Sequence, residues 1–225
     1  MHETRVTGDP HDFPRDGSLK PDETALLIID MQADFLDPDA YLAQQGYETG
    51  GLRAVVRPLT QALAAARRGG LQVIHTRQGY RRDLADVPKP RPGNTAHVSD
   101  ARPTGSILRR GEPGWEIIPE LAPVDGEAVI DKTANSAFYG TDLDLVLRAK
   151  RIENLIFTGV TIDVCVHTTL RDAVDRGFDC LLLADCCGAV TPELHKAACD
   201  MVKVENGVFG AVADAAAFCA AMDRF

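Results

Sequence analysis

The sequence predicts an α/β fold: about six strands in a mainly parallel sheet, with helices on both faces. Three observations lead there. Thr24 to Ile29 reads TALLII, an apolar run with no polar alternation, as expected of a strand buried on both faces. Strand-like runs then alternate with helical periodicity every 25 to 45 residues or so, the spacing of β-α-β units. At 225 residues, with 45% hydrophobic side chains, the chain can build one sizeable core and has little left for a second.

The elements follow in order. Leu52 to Arg68 carries Val55, Val56, Leu59, Leu63 and Ala66 at helical spacing, and Gly69-Gly70 ends it. Leu71 to Thr76 is the second strand and Glu127 to Asp131 the third, with Lys132 following. Leu143 to Ala149 is a short helix. Asn154 to Thr158 is the fourth strand, running into Gly159-Val160, and Asp163 to Arg176 is a helix closed by Gly177. Phe178 to Ala184, Pro192 to Val204, Val208 to Val212 and Asp214 to Met222 complete the pattern as strand, helix, strand and helix.

Two stretches stand apart. Residues 1–20 are polar and rich in Gly and Pro, which predicts a tail or arm over the surface of a single domain spanning 21–225. Between Arg77 and Pro113 the periodicity dissolves into prolines (88, 90, 92, 103 and 113) and arginines, among them Arg81, Arg82, Arg91 and Arg102. Ile107, Leu108 and Trp115 offer anchors, so this segment is expected to be an ordered wall or lid.

Charge excludes some partners. The net charge of −9 disfavours nucleic acid and anionic membrane. No run approaches the ~20 apolar residues of a membrane helix, and the N-terminus lacks the apolar stretch of a signal peptide. A cytoplasmic protein with six free thiols, most of them buried, is therefore expected.

In an open parallel sheet, ligands bind beyond the carboxyl ends of the strands. Asp30, Lys132 and Cys165 all fall at such ends. A helix start offers Cys165 a positive dipole end, and a nearby Lys132 would favour the thiolate further. Asp30 could take the thiol proton and return it to a departing amine. The backbone N–H groups of Cys165 and of an upstream residue such as Thr161 could bind a developing oxyanion. Each residue also has a bland reading, as core thiol, turn residue or solvated lysine.

The segments LLIIDMQADF (26 to 35), VIDKTANSAFYGTDLDLVLR (129 to 148) and LIFTGVTIDVCVHTTLRDAVDRGF (155 to 178) resemble the isochorismatase-like cysteine hydrolases, over roughly Thr24 to Phe218. The resemblance implies a Rossmann-like three-layer fold and an Asp-Lys-Cys triad at Asp30, Lys132 and Cys165. It also implies a cis peptide before Thr161, which would aim the Thr161 N–H into the oxyanion hole, and a dimer or tetramer.

Within that family, HTRQGYRRDL (75 to 84), GSILRRGEPGWEIIPELAP (105 to 123) and NGVFGAVAD (206 to 214) are similar to the biuret and triuret hydrolases, which act on linear ureides. Such substrates need fixed donors and acceptors rather than apolar bulk. Arg77, Arg81 or Arg82 could donate to substrate carbonyls, unless they are surface residues. Gln78 or Asn135 could bond an amide. Phe35, Tyr41, Phe138 and Tyr139 could form flat walls. Biuret hydrolases carry a substrate-binding Gln just before GVFGA, where this chain has Glu205 and Asn206. Glu205, if it faces the pocket, would favour an N–H-rich or cationic substrate end; it could equally face solvent.

His75, His97, His167 and His195 show no metal-ligand spacing and no phosphate loop occurs, so neither metal nor organic cofactor is expected. The function implied is amide hydrolysis of a small linear ureide, with ureidoacrylate, N-carbamoyl amino acids or nicotinamide as alternatives. Vinyl-ether hydrolysis of the isochorismate type lacks a nucleophilic cysteine and is disfavoured by Cys165. A non-catalytic binding domain is disfavoured by the intact triad.

Overall fold

The computed structural model describes residues 4–87, 101–102 and 105–225. Six strands form one sheet: β1 (Thr24–Ile29), β2 (Gln72–Gln78), β3 (Ala128–Lys132), β4 (Asn154–Val160), β5 (Asp179–Gly188) and β6 (Ala211–Ala213). All are parallel, in the order β3-β2-β1-β4-β5-β6. The order reverses between β1 and β4, where Ile29 pairs with Gly159. That switch point opens a crevice at the strands' carboxyl ends.

The longer helices are α1 (Val56–Arg68), α2 (Leu143–Ala149), α3 (His167–Asp175), α4 (Pro192–Gly207) and α5 (Ala215–Met222). They cover both faces. Leu26 and Ile28 of β1 pack with Leu59 and Leu63 of α1 and Phe218 of α5 on one side. Ala25, Leu27 and Ile29 pack with Leu147 of α2, Leu170 of α3 and Val202 of α4 on the other. Every residue of β1 is therefore buried, which is why TALLII carries no alternation. Burying each Leu or Ile this way contributes roughly 1.5–3 kcal/mol. None of the described helices is long and apolar enough to cross a membrane.

The predicted elements are present, with shifted ends. The strands expected to stop at Thr76 and Thr158 run on to Gln78 and Val160. The helix expected from Leu52 is broken: a short turn at Gly50–Ala54 precedes α1. The strand expected over Val208 to Val212 is confined to Ala211–Ala213. Upstream, Glu205, Asn206, Gly207 and Gly210 have φ of 51°, 59°, 82° and 125°, a left-handed stretch that no strand accommodates.

The N-terminal arm is knitted into the domain. Val6 and Phe13 pair with one another and are fully buried in the core cluster around α1 and α5. Asp9 exchanges backbone hydrogen bonds with Val212 and so covers the outer edge of β6. The Arg15 guanidinium donates to the carbonyls of Asn206 and Gly207. All six cysteines are free; Cys199 and Cys219 are half-buried and the other four are buried.

Candidate active site

Asp30 follows β1 at φ 52°, a left-handed conformation that costs a non-glycine residue about 1–3 kcal/mol. The Asp30 N–H donates to the carbonyl and hydroxyl oxygens of Thr76, and the Thr76 hydroxyl donates back to Asp30 Oδ1 at 2.6 Å. Asp30 Oδ2 lies 2.8 Å from Lys132 Nζ, with both side chains fully enclosed. Lys132 ends β3. Its ammonium also donates to Gln78 Oε1 at 2.8 Å and to the Ala134 carbonyl at 3.0 Å. Burial alone would lower its pKa, but the Asp30 carboxylate and the adjacent Cys165 thiol outweigh that and hold it above the usual lysine value.

Cys165 lies in a wide π-type turn, Ile162–Val166, that links β4 to α3. The sequence had pointed to an ordinary helix from Asp163. Instead the Val166 N–H bonds back five residues, to the Thr161 carbonyl. Thr169 fastens this turn to the loop after Lys132: its hydroxyl donates to the Cys165 carbonyl at 2.6 Å and accepts from the Ala137 N–H at 3.0 Å. The Val160–Thr161 peptide is cis.

The thiol's acidity runs opposite to the expectation from its neighbours. Burial pushes Cys165 up to about 12; Lys132 pulls it down, and Asp30 pushes it up again. Because Lys132 and Asp30 form a pair, the ammonium's effect on the sulfur is largely offset, and desolvation dominates. At neutral pH the resting residue is a thiol beside a carboxylate. Asp30 Oδ2 makes its ion pair without a directional hydrogen bond, so a lone pair remains for that proton.

Cys165 lines a cavity of about 310 Å³, with the Lys132–Asp30 pair enclosed behind it. Phe35, Tyr41, Tyr47 and Tyr80 supply aromatic wall, with Leu42, Leu108, Val164, Val190 and Leu194 as apolar surface. Gln45, Gln78, Asn135, Thr161 and Asp163 supply polar groups, and Cys165 opens directly onto the cavity. A larger depression of about 600 Å³ lies among Arg15, Glu23, Asn154 and Asp179, at the amino ends of β4 and β5, where parallel sheets do not place ligands. No cluster of three metal-ligating side chains occurs among the described residues.

Of the residues singled out by sequence, Phe35, Tyr41, Gln78, Asn135, Thr161 and Cys165 come together here. Others lie elsewhere. Arg77 is one residue out of phase with Gln78 on β2, so it projects to the opposite side of the sheet. There it pairs with Asp131 and Glu116 and lies 3.6 Å over the Trp115 ring. Arg81 pairs with Asp83 in the open, and Arg82 is exposed. Phe138 stacks on Phe178 in the core, and Tyr139 is 71% exposed. Glu205 is exposed on the left-handed turn that ends α4 and does not line the cavity. Leu108 is the expected anchor of the arginine-rich wall; Arg91, His97 and the side chain of Arg102 lie outside the described residues.

Sequence reasoning passed over Thr76, Thr169 and Gln32. Gln32 is two residues beyond Asp30; its amide donates to the carbonyls of Gln78 and Trp115 and accepts from the Gln78 N–H, fixing the main chain of the residue whose side chain accepts from Lys132. Asp163, two residues before Cys165, was also missed.

Comparisons with known proteins agree with this fold. A family model described as the isochorismatase domain matches residues 24–217. The ureidoacrylate amidohydrolases of Rhizobium rhizogenes and Stutzerimonas stutzeri are 33% and 34% identical to this chain, across 94% and 92% of it and 88% and 85% of their own lengths. Among solved structures, a cysteine hydrolase from Pseudomonas syringae pv. phaseolicola superimposes with a TM-score of 0.78 at 29% identity, covering 92% of this chain and 95% of that one. N-carbamoylsarcosine amidase from Thermoplasma acidophilum gives 0.67 at 27% identity, covering 86% and 96%. The chain belongs to the isochorismatase-like cysteine hydrolase family.

Proposed function

We propose that this protein is a cysteine amidohydrolase that cleaves the terminal C–N bond of a small linear ureide and releases ammonia. The observation that carries the reading is the enclosed Lys132–Asp30 ion pair next to a thiol that opens onto a cavity at the switch point of the sheet. The ureide class draws further support from relatives named for ureidoacrylate and N-carbamoylsarcosine, both of which carry an N-carbamoyl group. Biuret and triuret are the simplest uncharged candidates.

The chemistry follows from the charges. As the substrate carbonyl approaches, Asp30 takes the Cys165 proton and the sulfur forms a bond to the carbonyl carbon. Lys132 holds the carboxylate in place and, once Asp30 is protonated, is free to stabilise the sulfur anion. The backbone N–H groups of Thr161 and Cys165 would receive the developing oxyanion. Asp30 then returns the proton to the leaving nitrogen, the C–N bond breaks and ammonia departs. Water, deprotonated by Asp30, attacks the thioester; the carbon–sulfur bond breaks, the acid leaves and the thiol is restored.

An ammonia-release screen over biuret, triuret, ureidoacrylate, N-carbamoyl amino acids, nicotinamide and simple amides tests the reading. Turnover of a ureide that disappears in Cys165→Ala is expected. Turnover confined to substrates lacking a carbamoyl group, or none at all, would overturn it.

A further inference from the structure

The geometry points to Asp163 as a specificity-determining residue: its unpartnered carboxylate, on the cavity wall two residues before Cys165, selects an uncharged, N–H-rich ureide over one that ends in a carboxylate. This deepens the proposed function and rests on it.

Asp163 is the only charged side chain that lines the cavity among the described residues. Its Oδ1 is buried and has no hydrogen-bond partner. Asp163 lies in the first turn of the Ile162–Val166 segment, so the helix start favours its negative charge, yet no backbone N–H there is satisfied by its side chain. Asp163 acts electrostatically on His167, but that ring is engaged by Arg171. Arg171 donates to His167 Nδ1 and lies 4.1 Å over the Phe209 ring. His167 is kept neutral, first by burial and then by Arg171. Lys132 is neutralised by Asp30.

A buried carboxylate oxygen without a donor is costly to keep in a folded protein. Asp163 lines the ligand cavity, and a rotation of its side chain turns this oxygen towards a ligand that can supply the missing donor. A carboxylate accepts only, so it suits the –NH2 and –NH– groups at the far end of a ureide chain. A substrate carboxylate in the same position would meet a like charge, with no basic side chain among the described lining residues, a repulsive element that works against the wrong ligand. The named substrate of the ureidoacrylate amidohydrolases carries such a carboxylate, so the inference separates this chain's preference from theirs.

The experiment compares biuret with N-carbamoylglycine, which has the same carbamoyl head and an anionic tail. Ammonia release gives the ratio of kcat/KM for the two in the wild type, Asp163→Asn and Asp163→Ser. Binding of both compounds to Cys165→Ala, with and without Asp163→Asn, is read by calorimetry. The wild type should prefer biuret. Either Asp163 substitution should shrink that preference by about ten- to a hundredfold, the contribution of one charged hydrogen bond, mainly through KM. An unchanged ratio, or a wild type that prefers N-carbamoylglycine, would overturn the inference while leaving Cys165-dependent hydrolysis intact. If neither compound is hydrolysed, the functional reading fails instead, and the binding ratio alone decides the role of Asp163: a preference for biuret that Asp163→Asn removes upholds it, and equal binding refutes it.

Discussion

Lys132 Nζ and Asp30 Oδ2 are 2.8 Å apart and both side chains are fully enclosed, one contributed by β3 and the other by the residue after β1. Two full charges out of water are tolerable only while they remain paired and hydrogen-bonded. Lys132 also donates to Gln78 and Ala134, and the second carboxylate oxygen accepts from Thr76.

Lys132→Met should therefore damage stability as well as turnover. Removing one partner of a buried pair costs about 3–5 kcal/mol, because the other charge is stranded. Adding Asp30→Asn should restore much of that loss without restoring activity. Chemical denaturation of the two single variants and the double variant checks this; additive losses would show that the pair is not coupled.

Asp30→Asn alone should separate thiol reactivity from catalysis. Asp30 contributes to the elevation of the Cys165 pKa, whereas Lys132 opposes it. Without the carboxylate, burial still raises the thiol pKa, but one contribution to the rise is gone, so the value falls below that of the wild type. Iodoacetamide should label Cys165 faster in this variant at neutral pH, even as ammonia release collapses. In the wild type, the half-buried Cys199 and Cys219 should be labelled ahead of Cys165. Peptide mass spectrometry reads all of these sites at once.

A buried His75–Glu127–Arg67 network ties α1 to the entrance of β3 and predicts an acid-side weakness. His75 Nε2 is 3.0 Å from Glu127, and Arg67 grips both Glu127 oxygens. Burial lowers the His75 pKa below 6.5, against the pull of Glu127. The unfolded chain thus binds a proton that the folded one refuses, and the stability from His75 is full above about 6.5 and falls as pH drops below it. Burial opposes the Glu127 charge, but Arg67, the Val124 N–H and His75 outweigh it and hold its pKa below 4.5, so its share is lost only at lower pH. Melting temperature measured from pH 7.5 to 5 should fall, and the fall should flatten in His75→Gln, which keeps a donor for Glu127.

Gly159 of β4 pairs with Ile29 of β1 with no room for a side chain. Its φ is 111°, and an added Cβ would collide with the Ile29 backbone, one residue before Asp30. Gly159→Ala should cost about 1–3 kcal/mol of stability and displace Asp30 relative to Cys165, lowering kcat more than it raises KM. Wild-type kinetics in a folded Gly159→Ala protein would contradict this.

Much of this architecture was legible in the sequence because the governing patterns are local. A strand buried on both faces leaves TALLII without polar alternation, and both ends of β1 follow from it. Asp30, Lys132 and Cys165 stood out as candidates through their positions beyond strand ends together with the family resemblance, and Asp30 and Lys132 do meet in the fold. What stayed hidden depends on distant contacts. Val6 and Phe13 look like parts of a polar tail until they are seen against α1 and α5. Arg77 and Gln78 are neighbours in sequence, and only the phase of β2 sends one to Trp115 and the other to Lys132. The elevated thiol pKa arises from burial, which placement at a helix start does not reveal.

The most direct measurement is acid-quenched peptide mass spectrometry during turnover of a ureide, run in parallel on wild type and Cys165→Ala. A transient acyl adduct on the Cys165 peptide is expected in the wild type, with neither adduct nor ammonia from the variant. Ammonia release by Cys165→Ala at the wild-type rate, or an adduct carried by another residue, would contradict the account.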